Sequence, residues 1–464
     1  MTSWTRLLSH KRLGRPASEM SREPGRAPFE VDYDRIAFSD SWRALQGKTQ
    51  VHGMLGAPRV RDRLTHSMEV SRVARTLGMR AAERLRQDPR ARELGRPPAP
   101  ADLGHLCAAA AAAHDFGTPP FAHVGEKAIS EFFTSTPEGQ RVAGLVPAPI
   151  AAELTAFEGN AQGFRDLARL QGWRRAGGLN LTCATLAAHA KYPYRADAPA
   201  DARLKARKYG HLAEDAELFA EVAEATGLPR IAEGVWGRHP AAHLVEAADD
   251  ICYSIVDLED AARLGVLPQD EAEEMIRSVS GDPGEDLDAL DRPADRLACL
   301  RSKAISRLVD ATVDVFIDQL DPILAGRHPG DLVERGAHAD AMRLIKTVSK
   351  ERIYRSQPRL ERDATAMRAI GRILKAATAD LLDHHDGQPR QTAGNPVLAA
   401  VPGLDAADDL ATQTRAVLDW LASRTDDEAL EVARTLPARQ PAMRIARPPR
   451  LGQVNKTPWP LKTG

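Results

Sequence analysis

The strongest constraint on the fold is an almost uninterrupted apolar segment, residues 103–113, that ends directly at His114 and Asp115. Its alanine and leucine content favours a helix, and a helix that is apolar on every side is buried. Two ionisable side chains at the end of a buried helix are costly unless hydrogen bonds, ion pairs or a cation compensate them. The segment therefore predicts a buried helix that delivers His114 and Asp115 to the interior. The simpler alternative is a helix cap or a surface pair.

The rest of the chain favours an all-α fold. Aromatic residues make up only 5% of the sequence, whereas sheets draw on aromatic and β-branched residues. Apolar residues recur at three- and four-residue steps over residues 65–85 and 241–264, the spacing of one helix face. Further helices are predicted over 123–133, 304–323 and 364–382, and no alternating pattern is long enough for a substantial sheet. We expect a multi-helix bundle with an additional helical C-terminal region.

Composition also suggests how the chain is divided. Residues 1–28 are basic and rich in Ser, Pro and Gly, which predicts a flexible arm, and residues 437–464 form a basic tail that we expect to be disordered. Between them we expect a core over 29–265 and a helical region over 266–436. Four scattered cysteines without a CxxC pair, and no apolar run of membrane-spanning length, indicate a cytoplasmic protein that does not insert into membranes.

Two more segments complete a possible metal site. His66 opens one predicted helix and Asp249 lies within another, so His66, His114, Asp115 and Asp249 could converge from three helices. Two imidazoles and two carboxylates suit octahedral Mn, Fe, Co, Ni or Mg better than a tetrahedral cysteine site.

The helix over 241–264 carries a second signal. Asp249, Tyr253 and Asp257 follow one another at four-residue steps, so one face shows a carboxylate, a phenol and a carboxylate. The surrounding residues are apolar, which favours a buried cleft over a solvated face. Tyr253 has the alternative interpretation of a core aromatic residue.

Charged residues beside these segments fit phosphate chemistry. Arg63, three residues before His66, could bind phosphate oxygens, or it could be an ordinary surface arginine. His123 and Glu126 are three residues apart, so the carboxylate could orient the imidazole for proton transfer. The alternative for His123 is a structural histidine that caps a helix.

Taken together, these segments resemble the deoxyguanosine triphosphate triphosphohydrolase family of the HD superfamily. The resemblance runs in order from about Asp32 to Asp260 and is carried by WRALQGKTQV, RDRLTHSMEV, AAHDFGTPPFAHVGE, FEGNAQGFR, LTCATLAAHAKYP and LVEAADDICYSIVDLED. It implies an HD-type catalytic core over residues 29–265. The region over 266–436 would complete the nucleotide site and supply oligomer contacts.

The resemblance also implies a role for each matching residue. The metal ligands would be His66, His114, Asp115 and Asp249, and His123 and Glu126 would serve the hydrolytic step. Tyr253 would stack on the deoxyribose, Asp257 would bind the sugar, and Gln50 would lie near the base. The triphosphate and sugar would be bound by Asn160, Lys191, Tyr192 and Lys208, with Lys205 competing for the role of Lys208.

Two departures from the family pattern matter. A common RTRLTHS is RDRLTHS here, which brings Asp62 beside Arg63, and the segment KERIYRSQPRLERD resembles the family only loosely. Base preference therefore does not transfer from the resemblance.

The expected reaction is metal-dependent hydrolysis of a deoxynucleoside triphosphate (dNTP) to deoxynucleoside and triphosphate, by water attack at the α-phosphorus. One alternative is an HD phosphohydrolase acting on nucleoside monophosphates or cyclic nucleotides. The other is a regulatory binding protein that responds to nucleotides or single-stranded DNA, for which the basic termini give a motive. By resemblance we expect a homo-oligomer, with single-stranded DNA or a nucleotide as a candidate effector.

Overall fold

The computed structural model describes residues 3–15, 25–50, 61–172, 177–281, 284, 287, 289–327, 330–354, 357–388 and 395–436. Within these ranges the named secondary-structure elements are helices apart from one short antiparallel hairpin, β1 Arg230–Ala232 and β2 Val235–Trp236, in which Arg230 pairs with Trp236 and Ala232 with Val235. The predicted all-α fold class is confirmed. The tail over 437–464 lies outside the described residues.

The helices of the first part of the chain, in order, are α1 Trp4–Leu7, α2 Pro28–Ala37, α3 Asp40–Ala44, α4 Arg63–Leu85, α5 Pro89–Glu93, α6 Pro100–Ala112, α7 His123–Ser135, α8 Pro137–Leu145, α9 Ala148–Thr155, α10 Gly159–Arg165, α11 Cys183–His189, α12 Ala216–Thr226 and α13 Pro240–Arg263. The later helices are α14 Gln269–Ser280, α15 Pro293–Asp318, α16 Leu320–Leu324, α17 Ala339–Val348, α18 Gln357–His385, α19 Pro396–Ala400, α20 Leu410–Ala422 and α21 Asp426–Thr435.

The first hydrophobic core surrounds α4, α6 and α13, which pack against one another. Residues 106–113 at the end of α6 are all buried, as their apolar character predicts. The approach of α4 to α6 depends on Gly78, where a Cβ atom would lie 2.6 Å from the carbonyl oxygen of Leu103. This tight packing holds the ends of α4 and α6 and the middle of α13 close together.

The second hydrophobic core joins α7, α8 and α9 to the C-terminal helices α18 to α21. Phe132 and Phe133 of α7 are buried together with Ile370 and Ile373 of α18. The two cores do not follow the predicted boundary at residue 265. Helices α14 and α15 pack into the first core, whereas α7, which precedes that boundary, belongs to the second.

The N-terminal residues differ from the expectation of a flexible arm over 1–28. Residues 3–15 pack onto the first core, where Trp4, Leu7 and Leu13 are buried, and Leu13 N donates to the Leu181 carbonyl at 3.1 Å. Arg12 forms an ion pair of 2.6 Å with the buried Asp32. The prediction was wrong because it weighed the basic composition and overlooked the apolar side chains of Trp4, Leu7 and Leu13. Arg12 fixes this segment to the core through its ion pair with Asp32.

The acidic stretch after α13 begins as a helix. It contains α14, whose inner face buries Met275, Ile276 and Val279 while its outer face carries the acidic residues. None of the helices in the described ranges combines the length and apolar character that a membrane crossing requires.

Candidate active site

The side chains of His66, His114 and Asp249 meet where α4, α6 and α13 converge. His66 Nε2 lies 3.0 Å from Asp249 Oδ1, and His114 Nε2 lies 3.6 Å from the same oxygen. One ligand atom from each residue lies within 4.8 Å of the others. Two imidazole nitrogens and a carboxylate oxygen at this spacing fit a divalent cation.

The imidazole of His114 is oriented by its own helix. His114 follows the end of α6, and its Nδ1 lies 2.7 Å from the carbonyl oxygen of Ala111. Because a carbonyl only accepts hydrogen bonds, Nδ1 carries the proton and Nε2 presents its lone pair to the cluster. A backbone carbonyl that holds the outer nitrogen of a metal-binding histidine is a common arrangement.

The electrostatics of the cluster favour an ionised Asp249. Burial opposes ionisation, but the imidazoles of His114 and His66 and the ammonium of Lys191 hold the pKa of Asp249 well below its usual range. Burial likewise opposes protonation of His66, yet its hydrogen bond to Asp249 raises the pKa of the imidazole. The carboxylate and the imidazole therefore favour each other's charged forms, and a bound cation would likewise favour the ionised carboxylate.

Asp115, the fourth predicted ligand, lies beside the cluster and is shared with Arg63. Asp115 Oδ1 accepts a 2.5 Å hydrogen bond from a terminal nitrogen of Arg63, which holds the pKa of the carboxyl below its usual range despite burial. Asp115 Oδ2 is buried, lies 3.4 Å from His114 Nε2 and has no hydrogen-bond partner among the described residues. An orphaned carboxylate oxygen facing the cluster fits a cation ligand. The Asp62 side chain caps α4 by accepting from Thr65 N at 2.8 Å.

His123 begins α7 and extends into solvent, with 81% of its side chain exposed. Its Nδ1 lies 2.9 Å from Glu126 Oε2, while Glu126 Oε1 accepts from Gly159 N at 2.9 Å. Burial opposes ionisation of Glu126, but His123 and Lys208 hold its pKa below the usual range. The carboxylate therefore stays charged and holds the imidazole.

A sharp turn separates Asp115 from His123. At Gly117, where φ is 77°, a Cβ atom would lie 2.0 Å from Gly163 N, so only glycine fits. This close approach brings α10, which starts at Gly159, against the turn between Asp115 and His123.

A cavity of about 240 Å³ opens on one side of the cluster. The predicted phosphate residues line it: Asn160, Lys191, Tyr192 and Lys208, together with Lys205. Each of two lysines is paired with a carboxylate: Lys191 lies 3.1 Å from the partly buried Glu246, and Lys208 lies 2.6 Å from the buried Glu158. These contacts raise the pKa of both ammonium groups and keep them charged.

A larger cavity of about 520 Å³ opens on the other side. Tyr253 lines it and stacks on Tyr354 with ring centroids 5.6 Å apart. Gln50 lines it as well, and its Oε1 is buried without a hydrogen-bond partner among the described residues. Asp257 is not among the described residues that line either cavity. It lies behind Tyr354, whose hydroxyl donates to Asp257 Oδ2 at 2.6 Å, and burial raises the pKa of Asp257 to about 7.

The two cavities meet at the cluster. The residues that line both are Arg63, His114, Asp115, His123, Lys205 and Asp249. A ligand could therefore reach from the lysines, past the cluster, to the tyrosines. Its anionic end would lie on one side and an apolar ring on the other.

Several lining residues were not predicted from the sequence. Tyr354 and Arg362 come from the loosely matching downstream segment, and Asp426 comes from the start of α21. The only available signal was the segment KERIYRSQPRLERD itself, which contains Tyr354 and Arg362. Nothing in the pattern around Asp426 distinguishes it from a helix-starting acidic residue.

Comparison with known proteins places these observations in context. The chain is 36% identical over 445 residues to a deoxyguanosinetriphosphate triphosphohydrolase-like protein of Pseudomonas aeruginosa, covering 94% of this chain and 99% of that protein. A protein of the same description from Synechocystis is 37% identical over 441 residues, covering 92% of this chain and 97% of the relative. A deoxyguanosinetriphosphate triphosphohydrolase of Serratia proteamaculans is 30% identical over 379 residues, 72% of each chain. No protein-family model matches the chain.

Proposed function

The chain belongs to the deoxyguanosinetriphosphate triphosphohydrolase family, and on that premise we propose that it is a metal-dependent enzyme that hydrolyses dNTPs to deoxynucleoside and triphosphate. The observation that carries the proposal is the cluster of His66, His114 and Asp249 at the junction of two cavities, one lined by lysines and the other by tyrosines. The scissile bond between the α-phosphorus and the 5′-oxygen would lie at that junction.

The metal ligands proposed are His66, His114, Asp249 and Asp115. A divalent cation held there would neutralise negative charge on the α-phosphate. The orphaned Oδ2 of Asp115 supports its inclusion, while its Oδ1 keeps Arg63 directed at the same place. Arg63, which lines both cavities, would bind the α-phosphate oxygens.

The triphosphate would occupy the smaller cavity. Lys191 and Lys208 are charged and oriented by their carboxylate partners, and the Lys205 ammonium comes from the same loop as Lys208. Asn160 and Tyr192 complete the lining. Triphosphate is the product that these cations would hold, because several ammonium groups match its spread of negative charge.

The proton transfer is assigned to His123. Glu126 accepts a hydrogen bond from Nδ1 of His123. The other ring nitrogen, Nε2, would therefore exchange a proton with the attacking water or with the departing 5′-oxygen. Attack of water forms the new P–O bond as the bond to the 5′-oxygen breaks. The deoxynucleoside leaves with a 5′-hydroxyl.

The nucleoside would occupy the larger cavity. Tyr253, stacked on Tyr354, would pack on the deoxyribose and leave no room for a 2′-hydroxyl. Asp257 would act on the sugar through Tyr354, which stands between it and the cavity. Gln50, whose Oε1 has no hydrogen-bond partner among the described residues, would contact the base side of the nucleoside.

The test is product analysis by anion exchange with the four dNTPs and GTP, with manganese added or chelated. We expect tripolyphosphate and deoxynucleoside from dNTPs, no turnover of GTP, and no turnover without metal. Release of orthophosphate instead would favour the alternative phosphohydrolase on monophosphates or cyclic nucleotides. Tight dNTP binding without any turnover would favour a nucleotide-responsive regulator.

A further inference from the structure

The turn before His123 has an unusual backbone. Phe121 and Ala122 have φ angles of 63° and 58°, in the left-handed region that residues with a side chain rarely adopt. Ala122 combines this with ψ of −132°, a conformation that strongly favours glycine. Strained residues persist only where surrounding contacts hold them. The direction in which His123 leaves this turn therefore depends on whatever holds Phe121 and Ala122.

The contacts that hold the turn come from the far end of the chain. Asp426 is the first residue of α21, and only 3% of it is exposed. Its Oδ1 accepts from Phe121 N at 2.7 Å, and its Oδ2 accepts from Thr49 N at 3.1 Å. The carboxylate of Asp426 thus connects the strained turn to the segment that contains Thr49 and Gln50.

A buried lysine makes a second connection at the other end of the turn. Lys48 Nζ donates to the carbonyl oxygens of Thr118, at 2.6 Å, and Ala422, at 2.7 Å. Ala422 ends α20, just before α21. The turn is therefore held at both ends. Lys48 connects Thr118 to the end of α20, and Asp426 at the start of α21 binds Phe121.

We infer that Asp426 is a positioning residue that sets the orientation of His123 by holding the strained Phe121–Ala122 turn. The inference rests on the proposed function, because it assigns His123 a proton-transfer role. The argument for a carboxylate is chemical. Two backbone N–H groups need two acceptor atoms, and the start of a helix favours a negative charge. Asparagine would meet one N–H with its oxygen and oppose the other with its own N–H₂ group.

The main test compares Asp426→Asn with Asp427→Asn. Asp427 is exposed, occupies the next position of the same helix and changes charge by the same amount on substitution. We expect Asp426→Asn to lower kcat about 10- to 100-fold with little change in KM, since a displacement near 1 Å can cost about 100-fold. Asp427→Asn should leave kcat unchanged. Equal effects of the two substitutions would overturn the inference.

A double variant tests whether Asp426 acts through His123. If it does, His123→Ala with Asp426→Asn should lose no more activity than His123→Ala alone, within about threefold. Losses that multiply would assign Asp426 a separate effect and overturn the inference. Ala122→Gly supplies a rescue, because glycine adopts the turn conformation without strain. It should recover part of the activity of Asp426→Asn, and no recovery counts against the inference.

The ring resonance of His123, followed by NMR with labelled histidine, does not depend on turnover. Asp426→Asn should shift it and Asp427→Asn should not, with the other histidine resonances reporting that the fold is intact. If the wild type fails to hydrolyse dNTPs, the proposed function fails, yet the resonance still tests the link from Asp426 to His123. An unshifted resonance in Asp426→Asn would overturn that link.

Discussion

The two sides of the site are built in different ways. His66 and Asp249 project from the long helices α4 and α13 of the first core, and His66 is 2% exposed. His123 leaves an irregular turn at the edge of the second core and is 81% exposed. On the first side, helix packing orients the side chains. On the second, Glu126 of the same helix holds the imidazole, and hydrogen bonds from distant segments hold the turn that precedes it.

This difference has an energetic consequence. Many packed side chains hold a helix in place, so a single substitution away from the ligands disturbs the metal cluster little. A strained turn held by Asp426 and Lys48 depends on each contact. Variants on the side of His66 and Asp249 should therefore lose metal binding, whereas variants on the other side should lose the orientation of His123. Different measurements detect the two losses.

The largest expected effect is on the helix side. Asp249→Ala removes the carboxylate that both histidines face, and we expect manganese binding to be lost and turnover to fall about 1,000-fold or more, because a metal ion supplies several kcal/mol. Metal content by elemental analysis and tripolyphosphate release would be measured together. His105→Ala, on α6 but away from the cluster, is the control. Full manganese binding by Asp249→Ala would refute the metal assignment.

A second prediction concerns the anchoring of α13. His239 caps this helix by accepting from Ala241 N at 3.1 Å, and its Nε2 donates to the Leu7 carbonyl at 2.9 Å. Burial lowers the pKa of His239 to about 4. His239 is neutral in the folded protein down to about pH 4, whereas in the unfolded chain it becomes protonated below about pH 6.5. The stabilisation is therefore complete above about pH 6.5 and is lost as the pH falls towards 4, by up to about 3 kcal/mol.

Denaturant unfolding at several pH values would measure this. His239→Asn, which retains a capping oxygen, should show a shallower fall in the free energy of unfolding between pH 6.5 and 4 than the wild type. The exposed His385→Asn should keep the wild-type slope. An unchanged slope in His239→Asn would contradict the prediction.

The smallest expected effect is on the side of His123, where Lys208 lies 3.6 Å from Glu126. Lys208→Ala removes an ammonium group held by Glu158 and Glu126, and we expect KM for dNTP to rise about 10-fold, the usual magnitude for one charge-assisted hydrogen bond. The exposed Lys127→Ala is the matched control and should leave KM unchanged. Steady-state kinetics would decide, and equal KM values for both variants would remove Lys208 from the phosphate site.

The sequence predicted the helix side well for a physical reason. Helix periodicity is local, so spacing alone placed Asp249 and Tyr253 on one face. The apolar character of the segment before His114 likewise predicted that α6 is buried. The N-terminal arm was harder, because Trp4, Leu7 and Leu13 are spread among basic residues and find their partners only in the folded chain. The role of Tyr354 could not be read either, since its partners Tyr253 and Asp257 lie about a hundred positions earlier.

The sequence by itself determined the helical class, the family and the grouping of His66, His114 and Asp249 as a candidate metal site, because these follow from short-range periodicity and from matching segments. Only the tertiary structure decided which side chains complete the two cavities and what holds the turn before His123. Asp426 lies 305 positions from Phe121, and a single hydrogen bond across that separation leaves no periodic pattern. Such contacts are set by how the two cores pack.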